Sequence, residues 1–231
     1  MAFFEKFHTI FIEKGYYTLM LDGFKSTLVI TLGALVIGLL IGTIIAVIKY
    51  FGDDNKAMRP LVWLCDLYTT VVRGIPVVVL LLIFFFVIFA SSSNGVAIAT
   101  LTFGINSGAY MAELVRSGLN AVNIGQMEAG RSLGLSKLQT MRKIILPQAI
   151  RYILPAIFNE LIALLKETSV AGYVAVIDLT RAGTLVRNNT YNAVVPLTLV
   201  AVVYLVLVIL LTRLLKLLER RLSNNDKRRK S

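Results

Sequence analysis

Apolar residues gather in this chain into five long blocks, each bounded by polar or charged positions. They run roughly from Phe24 to Ile48, Leu61 to Phe89, Val96 to Val115, Tyr152 to Val176 and Tyr191 to Leu211. A helix needs about 20 apolar residues to cross a hydrocarbon core, so each block predicts a membrane span. The runs are continuous and not alternating, which excludes a β-barrel. The first block carries small residues at every fourth position, Ala34, Gly38, Gly42 and Ala46. That spacing puts one smooth stripe on a helix, where another backbone can approach closely. The second block is too long for one straight span and is interrupted by Arg73-Gly74-Ile75-Pro76. Pro76 lacks a backbone donor and Gly74 loosens the helix, so a kink or break is expected there. The fourth block holds Asn159, Glu160, Lys166, Glu167, Thr168 and Ser169 within an otherwise apolar helix.

Between the third and fourth blocks the pattern changes. Arg116 to Arg151 is polar and basic. Glu128 to Leu133 contains good helix formers, with an acidic residue in the first turn where the helix dipole favours it. Gly134 ends that helix in a left-handed cap. Ser136-Lys137-Leu138-Gln139 fits a capping box that starts a second helix. Pro147 is expected to bend or end that second helix.

The connections complete the outline. Lys49 to Arg59 reads as a short polar loop, with Lys49, Lys56 and Arg59 set against Asp53 and Asp54. Ala90 to Gly95 is a short uncharged turn, and Asp178 to Thr190 is a second loop on the same side. Residues 1–21 alternate Phe3, Phe4, Phe7, Phe11, Tyr16 and Tyr17 with Glu5, Lys6, Glu13 and Lys14. That stretch lacks the marks of a secretory signal and fits a helix lying in the membrane interface. The expected division is therefore an interfacial segment 1–21, a transmembrane domain 22–215 with its polar loop at 116–151, and a basic tail 216–231.

Composition agrees with an all-α polytopic membrane protein: 57% of residues are hydrophobic and mean hydropathy is +0.76. The net charge of +11 would suggest nucleic acid on a soluble protein. Here the positive-inside rule accounts for it and no nucleic-acid partner is expected. With the C-terminus inside, the inner segments collect most of the 24 Lys and Arg. The N-terminus is then outside and the 116–151 loop cytoplasmic. Lys227-Arg228-Arg229-Lys230 suits an anionic inner leaflet. The single Cys65 excludes a disulfide within the chain and a cysteine metal cluster. The single His8 reads as interfacial, and no catalytic or metal site is expected. No Gly-x-x-x-x-Gly-Lys-Ser/Thr occurs, so this chain holds no P-loop nucleotide.

The order Glu128-Ala129-Gly130, three residues, Gly134, nine residues, Ile144-x-Leu146-Pro147 resembles the EAA loop of ABC importer permeases. Gly130 stands where the pattern has its second Ala, which weakens the helix by up to about 1 kcal/mol. Arg73-Gly74-Ile75-Pro76 resembles the Arg-Gly-Thr-Pro of the polar amino acid branch, with Ile75 in place of Thr. The runs from Asn106 to Glu113 and from Leu164 to Ser169 are similar to the same branch. Asn123-Ile124 departs from the branch's usual Pro-Lys before Gly125. The resemblance extends roughly from Phe24 to Arg213.

This resemblance implies a type I importer fold in a bacterial cytoplasmic membrane, carrying a polar amino acid and not an enzyme. It implies that Glu128, Ala129, Gly130, Gly134 and Leu135 dock on a separate ATPase. ATP and Mg would be held by two such subunits and no cofactor by this chain. It implies a second permease copy, identical or homologous, and an extracytoplasmic binding protein. A zwitterionic substrate needs an anion site and a cation site. Arg73, or a broken-helix N-terminus in the second block, suits the carboxylate, Glu160 or Glu167 the ammonium or a basic side chain, and Asn106, Thr168 and Ser169 could line the path. The bland reading of Lys166 and Glu167 is pairing at the outer mouth or a subunit interface. Two rival functions stand beside the importer: an ion-coupled secondary transporter using Glu160 and Glu167, and a membrane scaffold.

Overall fold

The computed structural model describes residues 3–52 and 55–230, with side chains to residue 221. Asp53 and Asp54, and the side chains of Lys227 to Lys230, lie outside the described residues. Every regular element among the described residues is helical.

Helix α1 (Phe3–Phe7) continues as a π turn, His8–Glu13. Gly15, at φ +72°, turns the chain into α2 (Tyr17–Gly52). The N-terminal segment packs on the bundle. Phe11 and Ile10 are buried against Leu179, Val186, Val195 and Val200. His8 is exposed, with Nδ1 3.2 Å from a carboxylate oxygen of Glu13.

Helix α2 begins well ahead of the expected Phe24. At 1.5 Å per residue its 36 residues span about 54 Å, well over the ~30 Å hydrocarbon core. One side of it exposes Val29, Leu32, Val36, Leu40 and Ile44. The opposite side carries Ala34, Gly38, Gly42 and Ala46, all buried. After a 3₁₀ turn (Lys56–Met58) come α3 (Arg59–Gly74) and α4 (Val77–Ile83), the latter extended by a π turn over Phe84–Ile88. The two are bent by 103°. The cause is local: Ile75 is extended (φ −99°, ψ 129°), the conformation a following proline imposes.

Helix α5 (Gly95–Asn120), capped by the side chain of Asn94, packs along α2. The small-residue stripe is the reason. A Cβ on Gly38 would stand 2.8 Å from Ser107 Oγ, and one on Gly42 would stand 2.4 Å from Met111 Cβ. Lipid offers apolar side chains as good a home as another helix does, so close backbone packing has to hold this pair.

The polar segment forms α6 (Gly125–Ser132) and α7 (Lys137–Thr140), then a π turn (Met141–Ile145) leading into α8 (Leu146–Glu167). Pro147 does not stop the helical run, contrary to the expectation that it could end the second helix. Lys137 to Val174 is one helical run. Proline clashes with the carbonyl four residues back and cannot bond to it. The π turn just before Pro147 relaxes the register where that bond would have been. A 3₁₀ turn (Thr168–Val174) follows. The expected loop at 178–190 is instead a helix, α9 (Leu179–Thr190), because the buried Asp178 carboxylate accepts the N–H groups of Thr180 and Arg181 at 3.0 Å. The last helix, α10 (Val194–Lys230), runs through the expected basic tail.

Among the described residues three helical runs are long and apolar enough to cross a membrane, and the bent α3–α4 pair makes a fourth if it forms one span. Helix α5 is long enough at about 39 Å, but Asn106, Ser107 and Gly108 dilute its hydropathy. It is screened by α2, α3, α4 and α8. Phe103 of α5 sits in the main core with Ile30, Leu81 and Leu164, one from each of α2, α4 and α8.

Candidate functional site: an exposed helix pair and a polar cleft

The first site is the helix–Gly–helix unit. Helix α6 ends in a Schellman arrangement: Leu135 N–H donates to Gly130 O at 3.1 Å and Gly134 N–H to Arg131 O at 3.0 Å. Gly134 takes φ +82°, which a side chain would strain. Arg131 Nη1 donates to Leu135 O at 2.9 Å, bracing the turn. Ser136 and Gln139 form both bonds of the capping box, at 3.2 and 2.8 Å. The unit is anchored to the bundle by Met127, Met141 and Ile145, which pack with Val122 and Leu119. Lys137 Nζ lies 5.8 Å from the Phe51 ring centroid.

Glu128, Ala129 and Gly134 are exposed and Leu135 is half-buried. Gly130 differs: it is buried, and a Cβ there would stand 2.4 Å from Thr140 Cγ2. It serves contact between α6 and α7 and presents nothing outward. What the unit presents instead is Leu133, 81% exposed, and Leu138, 65% exposed. Both put apolar side chains in the open on an otherwise polar turn. Sequence reasoning missed both, although each interrupts an otherwise polar stretch.

The second site lies among the spans. Lys49, expected in a loop, is inside α2 with a side chain only 10% exposed. Its Nζ stands 2.8 Å from Asp66 of α3 and 3.2 Å from Glu113 of α5. Glu113 also accepts from Arg116 at 3.2 Å. Around this network a cleft of about 490 Å³ opens between α3 and α5, reaching Thr70, Arg73 and Tyr110. The Arg73 guanidinium lies over the Tyr110 ring, 5.3 Å from its centroid. Tyr68 Oη donates to Ile105 O at 2.5 Å and ties α3 to α5 above it.

Glu160 stands elsewhere. It accepts from Ser107 at 2.9 Å, joining α8 to α5. Glu160, Glu167 and Ser169 are half-buried, and Asn106 is buried at 3% exposure. Thr168 faces inward: its hydroxyl donates to Leu165 O at 2.9 Å and lies 3.4 Å from Thr31 Oγ. The expected substrate residues therefore do not form one cluster. Arg73 belongs to the cleft, Glu160 to the α5–α8 contact and Thr168 to the packing. Lys49, Asp66 and Tyr110 were missed. The available signal was opposite charge at the ends of neighbouring apolar blocks, where ionisable groups need partners.

Comparison with known proteins agrees with this architecture. The chain is 36% identical over 210 residues to the arginine transport system permease protein ArtQ of Bacillus subtilis (strain 168), covering 90% of this chain and 94% of the relative. It is 34% identical over 208 residues to the glutamine transport system permease protein GlnP of Escherichia coli (strain K12), covering 88% and 93%. Among solved structures, an amino acid ABC transporter with histidines superimposes with a TM-score of 0.83 at 36% identity, over 90% of this chain and 96% of that one. The MetNI methionine ABC transporter does so at 0.77 and 26%, over 89% and 97%. The helical arrangement is that of type I ABC importer permeases. Residues 34–224, most of the chain, match the pattern of one family, and the chain belongs to that family, the binding-protein-dependent transport system inner membrane components.

Proposed function

We propose that this permease carries a polar amino acid into the cell, driven by a separate ATPase that docks on the α6–Gly134–α7 unit. The single observation carrying this reading is that unit's construction. A doubly capped turn holds Leu133 and Leu138 in the open, and its base is packed against α2, α5 and α8. Such a piece moves as a body and can pass displacement to the spans, which a floppy loop cannot do. The ATPase pair would hold ATP and Mg, and this chain would hold neither.

The N-terminus lies outside and the C-terminus inside, so that the docking unit faces the compartment where ATP is. A second permease copy, identical or homologous, completes the pair of docking units. A binding protein delivers the substrate from outside. Arg73, Asn106, Glu160, Glu167 and Ser169 border the route, whereas the Thr168 hydroxyl is already engaged within the fold. The two similar permeases named for arginine and glutamine transport support a polar amino acid as cargo.

Purification of the full chain in mild detergent, with mass spectrometry of its companions, tests the reading. Recovery of a P-loop ATPase is expected. Absence of one in several mild detergents, with the permease folded, would refute ATP-driven import.

A further inference from the structure

The cleft between α3 and α5 contains two cations and two carboxylates close together, and their contacts differ in kind. Lys49 is committed: it is nearly enclosed and lies between Asp66 and Glu113. Glu113 is committed too, one oxygen to Lys49 and the other to Arg116. Asp66 gives Oδ1 to Lys49, and its side chain remains 52% exposed. Arg73 has its Cζ 5.3 Å from the Tyr110 ring centroid and no ion-pair partner among the described residues. One cation and one anion thus remain available to a guest.

Asp66 and Arg73 are seven positions apart on α3 and share a face, with Thr70 between them. Their Cα atoms are about 10 Å apart along the axis. Helical side chains lean toward the N-terminus, so the long arm of Arg73 leans toward Asp66 and narrows that gap. Arg73 also closes α3 at the 103° break, where irregular backbone is tolerated beside a polar cavity.

We propose that this cleft is a binding subsite for the head group common to free α-amino acids. Arg73 takes the α-carboxylate through its guanidinium fork and Asp66 takes the α-ammonium through its second oxygen. Lys49 and Glu113 are positioning residues that hold the Asp66 carboxylate in place. The inference rests on the amino acid reading given above. It adds that recognition is of the head group, which leaves the side chain to extend past Thr70 and Tyr110. Glu160, which bonds Ser107 away from this cleft, has no part in the head-group contact.

The test uses the full-length permease in its complex with the ATPase, without binding protein, and measures equilibrium binding of radiolabelled glutamine and arginine in turn. Arg73→Gln and Asp66→Asn are each expected to weaken binding of the preferred amino acid roughly tenfold or more. Arg73→Lys should recover part of the loss. A decarboxylated analogue, 4-aminobutyramide for glutamine or agmatine for arginine, should bind the wild type and Arg73→Gln equally weakly. Binding of the amino acid by Arg73→Gln as tight as by the wild type overturns the subsite and leaves the importer reading standing. Failure of the wild-type complex to bind or import any polar amino acid overturns both.

Discussion

The docking unit and the polar cleft are built on opposite plans. In the docking unit the bonds that cap its two helices join residues within five positions of each other: Leu135 to Gly130, Gly134 to Arg131, Gln139 to Ser136. In the cleft the bonds join distant parts of the chain, Lys49 to Glu113 across 64 positions. The neighbouring α5–α8 contact joins Ser107 to Glu160 across 53. The first region keeps its shape wherever the bundle moves. The second exists only while α2, α3 and α5 stand in one arrangement. On the proposed reading the two plans serve two needs: a part that is pushed without deforming, and a part that changes when helices shift.

Breaking the long-range region should have the largest effect on stability. Lys49→Met leaves Asp66 and Glu113 without their shared cation and should cost about 3 kcal/mol. The measurement is the unfolding temperature of the detergent-solubilised permease, with Lys49→Arg retaining most of it. An unchanged transition in Lys49→Met would show that the network contributes nothing. Adding Glu113→Gln to Lys49→Met should cost less than the sum of the single changes, since the groups act as one unit.

In the local region, Gly134→Val puts a β-branched residue at φ +82° and should cost about 2 kcal/mol. The strain falls on the turn between α6 and α7 and leaves the spans folded. Uptake should drop roughly tenfold or more while basal ATP hydrolysis continues. Normal uptake in this variant would remove the docking role. Ser136→Ala deletes one half of the capping box and should cost about 1 kcal/mol. Its signature is faster hydrogen exchange at the Gln139 amide, with exchange in α2 and α5 unaltered. Spread of the effect into the spans would contradict the separation of the two regions.

The smallest structural effect is expected at the α5–α8 contact. Glu160→Gln keeps an oxygen to accept from Ser107, so stability should change by no more than about 0.5 kcal/mol. Uptake should nevertheless fall, because a charge along the route is lost. Unaltered uptake together with unaltered coupling would take Glu160 off the route.

Much of this molecule was legible before the structure, and for one reason. The helix–Gly134–helix turn, the capping box at Ser136, the break at Arg73–Pro76 and the stripe from Ala34 to Ala46 depend on spacing within one helix or turn. Backbone sterics and hydrogen-bonding needs act over that distance, so residue order alone determined them. Only the tertiary structure decided the rest. It carried Lys49 from an expected loop into a buried network, turned Thr168 inward and set Gly130 against Thr140. It continued the helix past Pro147 by a π turn, and it gave Arg73 and Glu160 different partners on α5, Tyr110 and Ser107. Those outcomes depend on how far each helix is rotated and at what depth it meets its neighbour. Close packing among spans decides rotation and depth, and no single stretch of sequence contains that information.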